Sequence, residues 1–174
     1  MKSYRELIKP PDLITLLSTS CGMLSVFFSI SKNFEIAAAM LISAVLFDRL
    51  DGSLARRLGL GEREFGKELD SLSDAVSFGA AVAIFGYALG LNSVLGILVL
   101  LFFVCAGILR LTRFNVVQME PGYYLGMNIT YNGLIFPAFY FITIFLESWR
   151  LNIFMAVYLL SGILMLSSVR WKKI

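Results

Sequence analysis

The chain has 174 residues, 58% of them hydrophobic, and a mean hydropathy of +0.79, which excludes an ordinary soluble globular domain and makes it a polytopic membrane protein. The net charge is only +3 and there is no histidine, so the usual base at neutral pH is absent and any proton transfer falls to carboxylates. Cys21 and Cys105 sit in apolar stretches without CxxC spacing, a pattern of packing rather than of a disulfide, zinc site or nucleophile, and no repeat, low-complexity segment or nucleic-acid motif is present.

Residues 1–12 are short, polar and basic. Lys2, Arg5 and Lys9 alternate with Tyr4, Leu7 and Ile8, the pattern of an interfacial helix on anionic lipid, ended by Pro10 and Pro11. The apolar run over 13–31 leads directly into further apolar runs, so it reads as a retained first span and not a cleaved leader. A second span begins near residue 34 and passes through Asp48, Asp51 and Arg56 with no breaker before Gly59 and Gly61, which predicts one helix with a protruding end. The loop over 59–65 also holds Glu62, Arg63 and Glu64. A third span covers 66–89.

After a turn at Asn92 and Ser93, a fourth span covers 94–114 and ends in Arg110-Leu111-Thr112-Arg113-Phe114-Asn115. The two arginines lie one turn apart, spaced either to snorkel to headgroups or to receive a phosphate or carboxylate. A loop over 118–124 contains Pro121 and Gly122. The fifth span, 127–146, opens on Asn128, Thr130, Tyr131, Asn132 and Gly133, a polar face unsuited to lipid, and contains Pro137. The sixth, 152–169, carries no polar cluster and reads as scaffold. The expected fold is all-α: one domain over 1–174, with six transmembrane helices and a short N-terminal interfacial helix. With the N-terminus inside, 13 Lys and Arg fall on inner segments and only Lys32 and Arg150 on outer turns, which orients both termini to the cytoplasm.

The chemistry concentrates between residues 48 and 74. Asp48 and Asp51 are i, i+3 and Asp70 and Asp74 are i, i+4, so each pair lies on one face of its helix. Both pairs fall at the same end of adjacent antiparallel helices, and a carboxylate in lipid is costly unless paired. Facing each other, the helices would bring four carboxylates to one point, an all-oxygen site for Mg²⁺, Mn²⁺ or Ca²⁺. Gly52 and Gly66 remove side chains beside it, and Arg56 adds a fork of donors suited to phosphate.

The string DxxDGxxAR, nine residues, then GxxxDxxxD resembles the signature of the CDP-alcohol phosphotransferases, integral membrane enzymes of phospholipid synthesis. Asp48, Asp51, Gly52, Ala55, Arg56, Gly66, Asp70 and Asp74 fill all its fixed positions. Pro11-Asp12-Leu13-Ile14-Thr15 is similar to the family's Pro-Asn-x-x-Thr opening, with Asp12 in place of Asn. The resemblance implies a CDP-linked lipid donor whose phosphate passes to an alcohol with release of CMP. It also implies Mg²⁺ or Mn²⁺ on the four aspartates, nucleotide and phosphate contacts at Gly52, Ala55, Arg56 and Gly66, Asp74 as the base, and a homodimer in the cell membrane.

Residues 66–79 with 110–115 look like the phosphatidylserine synthase branch, in a compact and archaeal form. On that reading L-serine is the acceptor, held by Arg110, Arg113, Asn115 and Asn128. Glycerol 3-phosphate or an inositol phosphate as acceptor, and a divalent-cation transporter using the carboxylates as a relay, are the competing readings.

Overall fold

The structure is a computed structural model that describes residues 4–61, 63–117, 123–144 and 150–172. Lys2, Glu62, Pro121, Gly122, Leu146 and Lys173 lie outside the described residues.

Helix α1 (Tyr4–Leu7) is a single turn, and α2 (Pro10–Ile30) follows at once. Pro10 and Pro11 begin the second helix instead of closing the first. Proline is at home in a first helical turn, where its missing N–H has no intrahelical acceptor and its fixed φ is already helical. Asp12 accepts from the Lys9 backbone N–H at 2.8 Å, which fixes that start ahead of the apolar run.

Helix α3 (Phe34–Arg57) returns antiparallel to α2. Ala37, Ala38, Leu41 and Ala44 on its inner face are fully buried, and small side chains there let the two backbones approach. Ser18 Oγ donates to the Ala44 carbonyl at 2.9 Å across the same contact.

The next long helix is continuous from Glu64 to Leu89 but changes winding partway: α4 (Glu64–Asp74), a π-helical turn (Ala75–Ala80), then α5 (Ala81–Leu89). It meets α2 along a polar seam. Ser73 Oγ donates to the Thr15 carbonyl at 3.2 Å, Thr19 Oγ1 to Ser73 Oγ at 2.7 Å, and Ser77 Oγ to the Ser18 carbonyl at 3.3 Å. Only glycine fits at position 22, because a Cβ there would lie 2.7 Å from Ser77 Cα.

Helices α6 (Val94–Val116), α7 (Asn132–Thr143) and α8 (Arg150–Leu166) complete the bundle around an aromatic core. Phe136 stacks on Tyr158 at 3.9 Å between centroids, and Phe103 meets Tyr158 edge-on at 5.1 Å, an arrangement the aromatic quadrupole favours. A 3₁₀ turn (Ile129–Tyr131) precedes α7, so the polar opening of the expected fifth span is tighter than an α-helix. The expected all-α architecture holds, with one short strand pair added to it. Strand β1 (Tyr123–Leu125) pairs antiparallel with β2 (Arg170–Lys172), joining the segment before the 3₁₀ turn to the one after α8.

Among the described residues, three segments are long and apolar enough to cross a membrane: Pro10–Ile30, Glu64–Leu89 and Val94–Val116. Helix α3 has 24 residues but ends in Asp48, Arg49, Asp51, Arg56 and Arg57. The remaining apolar helices, Ile129–Thr143 and Leu151–Leu166, are shorter. Leu95, Leu98, Leu101, Ile108 and Leu109 leave the outer face of α6 exposed and apolar, as a lipid solvent requires.

Candidate functional site

The end of α3 and α4 bring Asp48, Asp70 and Asp74 together, with one carboxylate oxygen from each lying within 4.8 Å of the others. Asp74 is 5% exposed, and its Oδ1 is buried without a hydrogen-bond partner. Asp74 and Thr130 both reach the Asp48 carboxylate, so the 3₁₀ turn supplies a hydroxyl to the cluster. Three carboxylates this close repel strongly in a poorly hydrated setting unless a cation lies among them. An orphaned carboxylate oxygen, hard donors and no nitrogen or sulfur ligand fit a divalent cation of the Mg²⁺ or Mn²⁺ type.

The fourth aspartate does not join them. Asp51 is buried and turned toward α2, where Thr15 Oγ1 donates to its Oδ2 at 2.6 Å. Thr15 therefore touches both aspartate-bearing helices, by its hydroxyl on α3 and by its carbonyl on α4 through Ser73.

The glycines and arginine of the motif divide between α3 and α4. Arg56 is exposed and reaches back over Gly52, where a Cβ would lie 3.7 Å from its Nη1. Ala55 is half-buried on the same helix. At Gly66 the free space is taken by the chain itself: a Cβ would lie 3.1 Å from Arg63 Nη2 and 3.5 Å from Asp12 Oδ1.

The expected acceptor residues separate into two groups. Arg110 is 6% exposed and close enough for its charge to act on both Asp70 and Asp74, and its guanidinium lies 5.3 Å from the Phe114 ring centroid. Arg113 is directed elsewhere. It donates to the carbonyls of Leu125, Met165, Leu166 and Ser167 at 3.0 to 3.3 Å, clamping the end of α8 to the end of β1. A cation is well placed at a helix C-terminus, where carbonyls lack intrahelical partners.

Asn115 ties α6 to α4: its Nδ2 donates to Ser71 Oγ at 2.9 Å and its carbonyl accepts from Lys67 Nζ at 3.0 Å. Asn128 caps the 3₁₀ turn, accepting from the Thr130 N–H at 3.5 Å, and so supports the residue that reaches Asp48. Sequence reasoning assigns no role to Thr15, Ser73, Thr130 or Arg63. Thr15 and Thr130 carry a signal, the first as the last residue of the Pro11–Thr15 segment and the second as part of the polar opening of the fifth span.

A helical bundle that gathers carboxylates and a buried arginine at one polar end is built to hold a hard cation beside an anionic ligand. The sequence profile described as CDP-alcohol phosphatidyltransferase matches residues 9–170. The chain is 37% identical over 175 residues to the archaetidylserine synthase of Methanothermobacter thermautotrophicus, covering 99% of this chain and 73% of that protein. It is 31% identical over 173 residues to the CDP-diacylglycerol–serine O-phosphatidyltransferase of Methanocaldococcus jannaschii, covering 99% and 78%. The enzyme of the same name from Helicobacter pylori is 32% identical over 168 residues, covering 92% and 70%. The chain belongs to the CDP-alcohol phosphatidyltransferase family.

Proposed function

We propose that this protein is a phospholipid-synthesis enzyme that transfers the phosphatidyl group of a CDP-linked lipid, CDP-diacylglycerol or CDP-archaeol, to the hydroxyl of L-serine, releasing CMP. The observation that carries the reading is the cluster of Asp48, Asp70 and Asp74 within 4.8 Å, formed by the fixed positions of the family motif. The similarity to serine-specific relatives along almost the whole chain supports serine as acceptor.

A Mg²⁺ or Mn²⁺ held by those three carboxylates, with Asp51 beside them, would neutralise the pyrophosphate and stabilise the departing CMP. The residues supply the rest. Arg56, exposed next to Gly52, is free to clamp a donor phosphate. Asp74 takes the serine hydroxyl proton as the oxygen attacks the lipid-side phosphorus and the bond to CMP breaks. Arg110, buried beside Asp70 and Asp74, binds the serine carboxylate and thereby points the hydroxyl at Asp74. Arg113 is withdrawn from that role because its donors are occupied by carbonyls.

The setting is a cell membrane, crossed six times, with both termini and the aspartates at the cytoplasmic side and α1 along the interface. The asymmetry of Lys and Arg between inner and outer segments supports this orientation.

The test supplies purified protein with CDP-diacylglycerol or CDP-archaeol and, separately, serine, glycerol 3-phosphate, inositol and inositol 1-phosphate, and measures CMP. Serine alone should release it, chelator should abolish release, and Mg²⁺ or Mn²⁺ should restore it. Use of another acceptor with serine inert overturns the acceptor assignment. No CMP with any acceptor and either metal overturns the enzyme reading, and undiminished release in excess chelator removes the metal.

A further inference from the structure

Asp12 is a fifth carboxylate at the edge of this site. It is 3% exposed, and its charge acts on Asp51. One of its oxygens accepts from the Lys9 N–H at 2.8 Å and the other from Arg63 Nη2 at 2.5 Å. Arg63 comes from the loop before α4, and its second nitrogen, Nη1, donates to the Leu7 carbonyl at 3.0 Å. The fork thus lies in the notch over Gly66, joining the chain before α2 to the start of α4. Arg63 and Lys9 also front a cavity of about 420 Å³ next to this notch.

A buried carboxylate without its partner is a strong local source of negative potential, because little water screens it. Gly66, which this pair touches, is a position where the family motif implies nucleotide and phosphate contacts, and Asp51, on which the Asp12 charge acts, lies beside the carboxylates of the proposed metal site. A lone Asp12 would repel the anionic CDP group, whereas the Arg63 fork cancels its charge at short range.

Resting on that functional reading, we infer that Arg63 is a positioning residue for the donor: it neutralises Asp12 in place and so keeps the nucleotide side of the site open to a pyrophosphate. It acts through Asp12 and takes no part in the chemistry. Asp12 and Arg63 are therefore a matched pair, tolerable together or jointly replaced by neutral groups, and unfavourable when only the arginine is lost.

The experiment measures CMP release against donor and against serine concentration for the wild type, Arg63→Gln, Arg63→Lys and the double variant Asp12→Asn/Arg63→Gln, with thermal unfolding of each in detergent. Arg63→Gln should raise the donor KM about tenfold, the effect of one unit charge across a partly buried gap, with kcat and the serine KM within about twofold. Arg63→Lys, which keeps the charge, should stay within about threefold of wild type. The double variant should recover most of the donor affinity, since no unpaired charge remains. If the pair merely fastened the loop, the double variant would be at least as impaired as Arg63→Gln, and that result overturns the inference. A donor KM unchanged in Arg63→Gln also overturns it. Should Arg63→Gln fail to fold, Arg63→Lys and the double variant decide: wild-type-like donor KM in both supports charge balance, and raised values in both refute it. A wild type inactive with every acceptor would instead sink the functional reading itself.

Discussion

Thr15→Val isolates one hydrogen bond of the site. The side chains have nearly the same shape, but valine cannot donate to Asp51, and the substitution leaves the Thr15 carbonyl in place for Ser73. The lost contact is 2.6 Å long, buried and made to a carboxylate. Such charge-assisted bonds contribute about 1.5 to 3 kcal/mol, or about 10- to 150-fold in an equilibrium constant. Without it Asp51 is free to turn toward the other three aspartates, adding like charge where the donor and its metal must settle. The donor KM should therefore rise and the Mn²⁺ concentration for half-maximal rate should fall, each within that range, while the serine KM changes little. Thr15→Ser restores the donor and should restore both values. The assay is the initial rate of CMP release across donor and Mn²⁺ titrations, with thermal unfolding of the detergent-solubilised protein as a fold control. If Thr15→Val keeps both values within about twofold of wild type, the hydroxyl does not set the position of Asp51.

Other substitutions probe the same geometry. Asp74→Asn retains shape but cannot accept a proton, so transfer should fall at least about 10²-fold while donor binding, read by competition with CMP, persists. Arg110→Met should raise the serine KM about 10- to 150-fold. Arg113→Met should instead destabilise the fold by about 1.5 to 3 kcal/mol, seen as a lower unfolding temperature with serine KM nearly unchanged. Gly22→Ala drives a methyl against the Ser77 backbone and should cost about 1 to 3 kcal/mol of stability, measured in the same thermal assay.

The spacing of the aspartates makes the meeting of α3 and α4 legible, because residues three and four apart share a helix face. Face sharing is approximate, however, and the i, i+3 step leaves about 60° between Asp48 and Asp51. That offset is enough for the two to serve different neighbours once a hydroxyl stands on a third helix. Thr15 is 36 residues from Asp51, and no local pattern encodes that contact. Arg113 misleads for a similar reason: one turn from Arg110, it shares the residue type but faces carbonyls of α8, more than 50 positions away. The prolines at 10 and 11 are legible as a boundary but ambiguous in sense, since proline both stops one helix and starts the next. The short β pairing carries no alternating pattern at all. It closes over residues whose backbone groups need partners once the helices end.

The π turn after Asp74 makes the arrangement depend on counting. Each residue in a helix rotates the next side chain by about 100°, and the wide turn over Ala75–Ala80 absorbs one more residue than an α-helix would. Upstream of it the aspartates face α3; downstream, the Val82 carbonyl faces α8 and accepts the Tyr158 hydroxyl at 2.6 Å. A single deletion at Val76 or Phe78 would leave every side chain described above in the protein, yet either the aspartates or the Tyr158 contact would swing aside. Substitutions in this stretch can be absorbed locally, whereas a change in its length is felt at both ends of the helix at once.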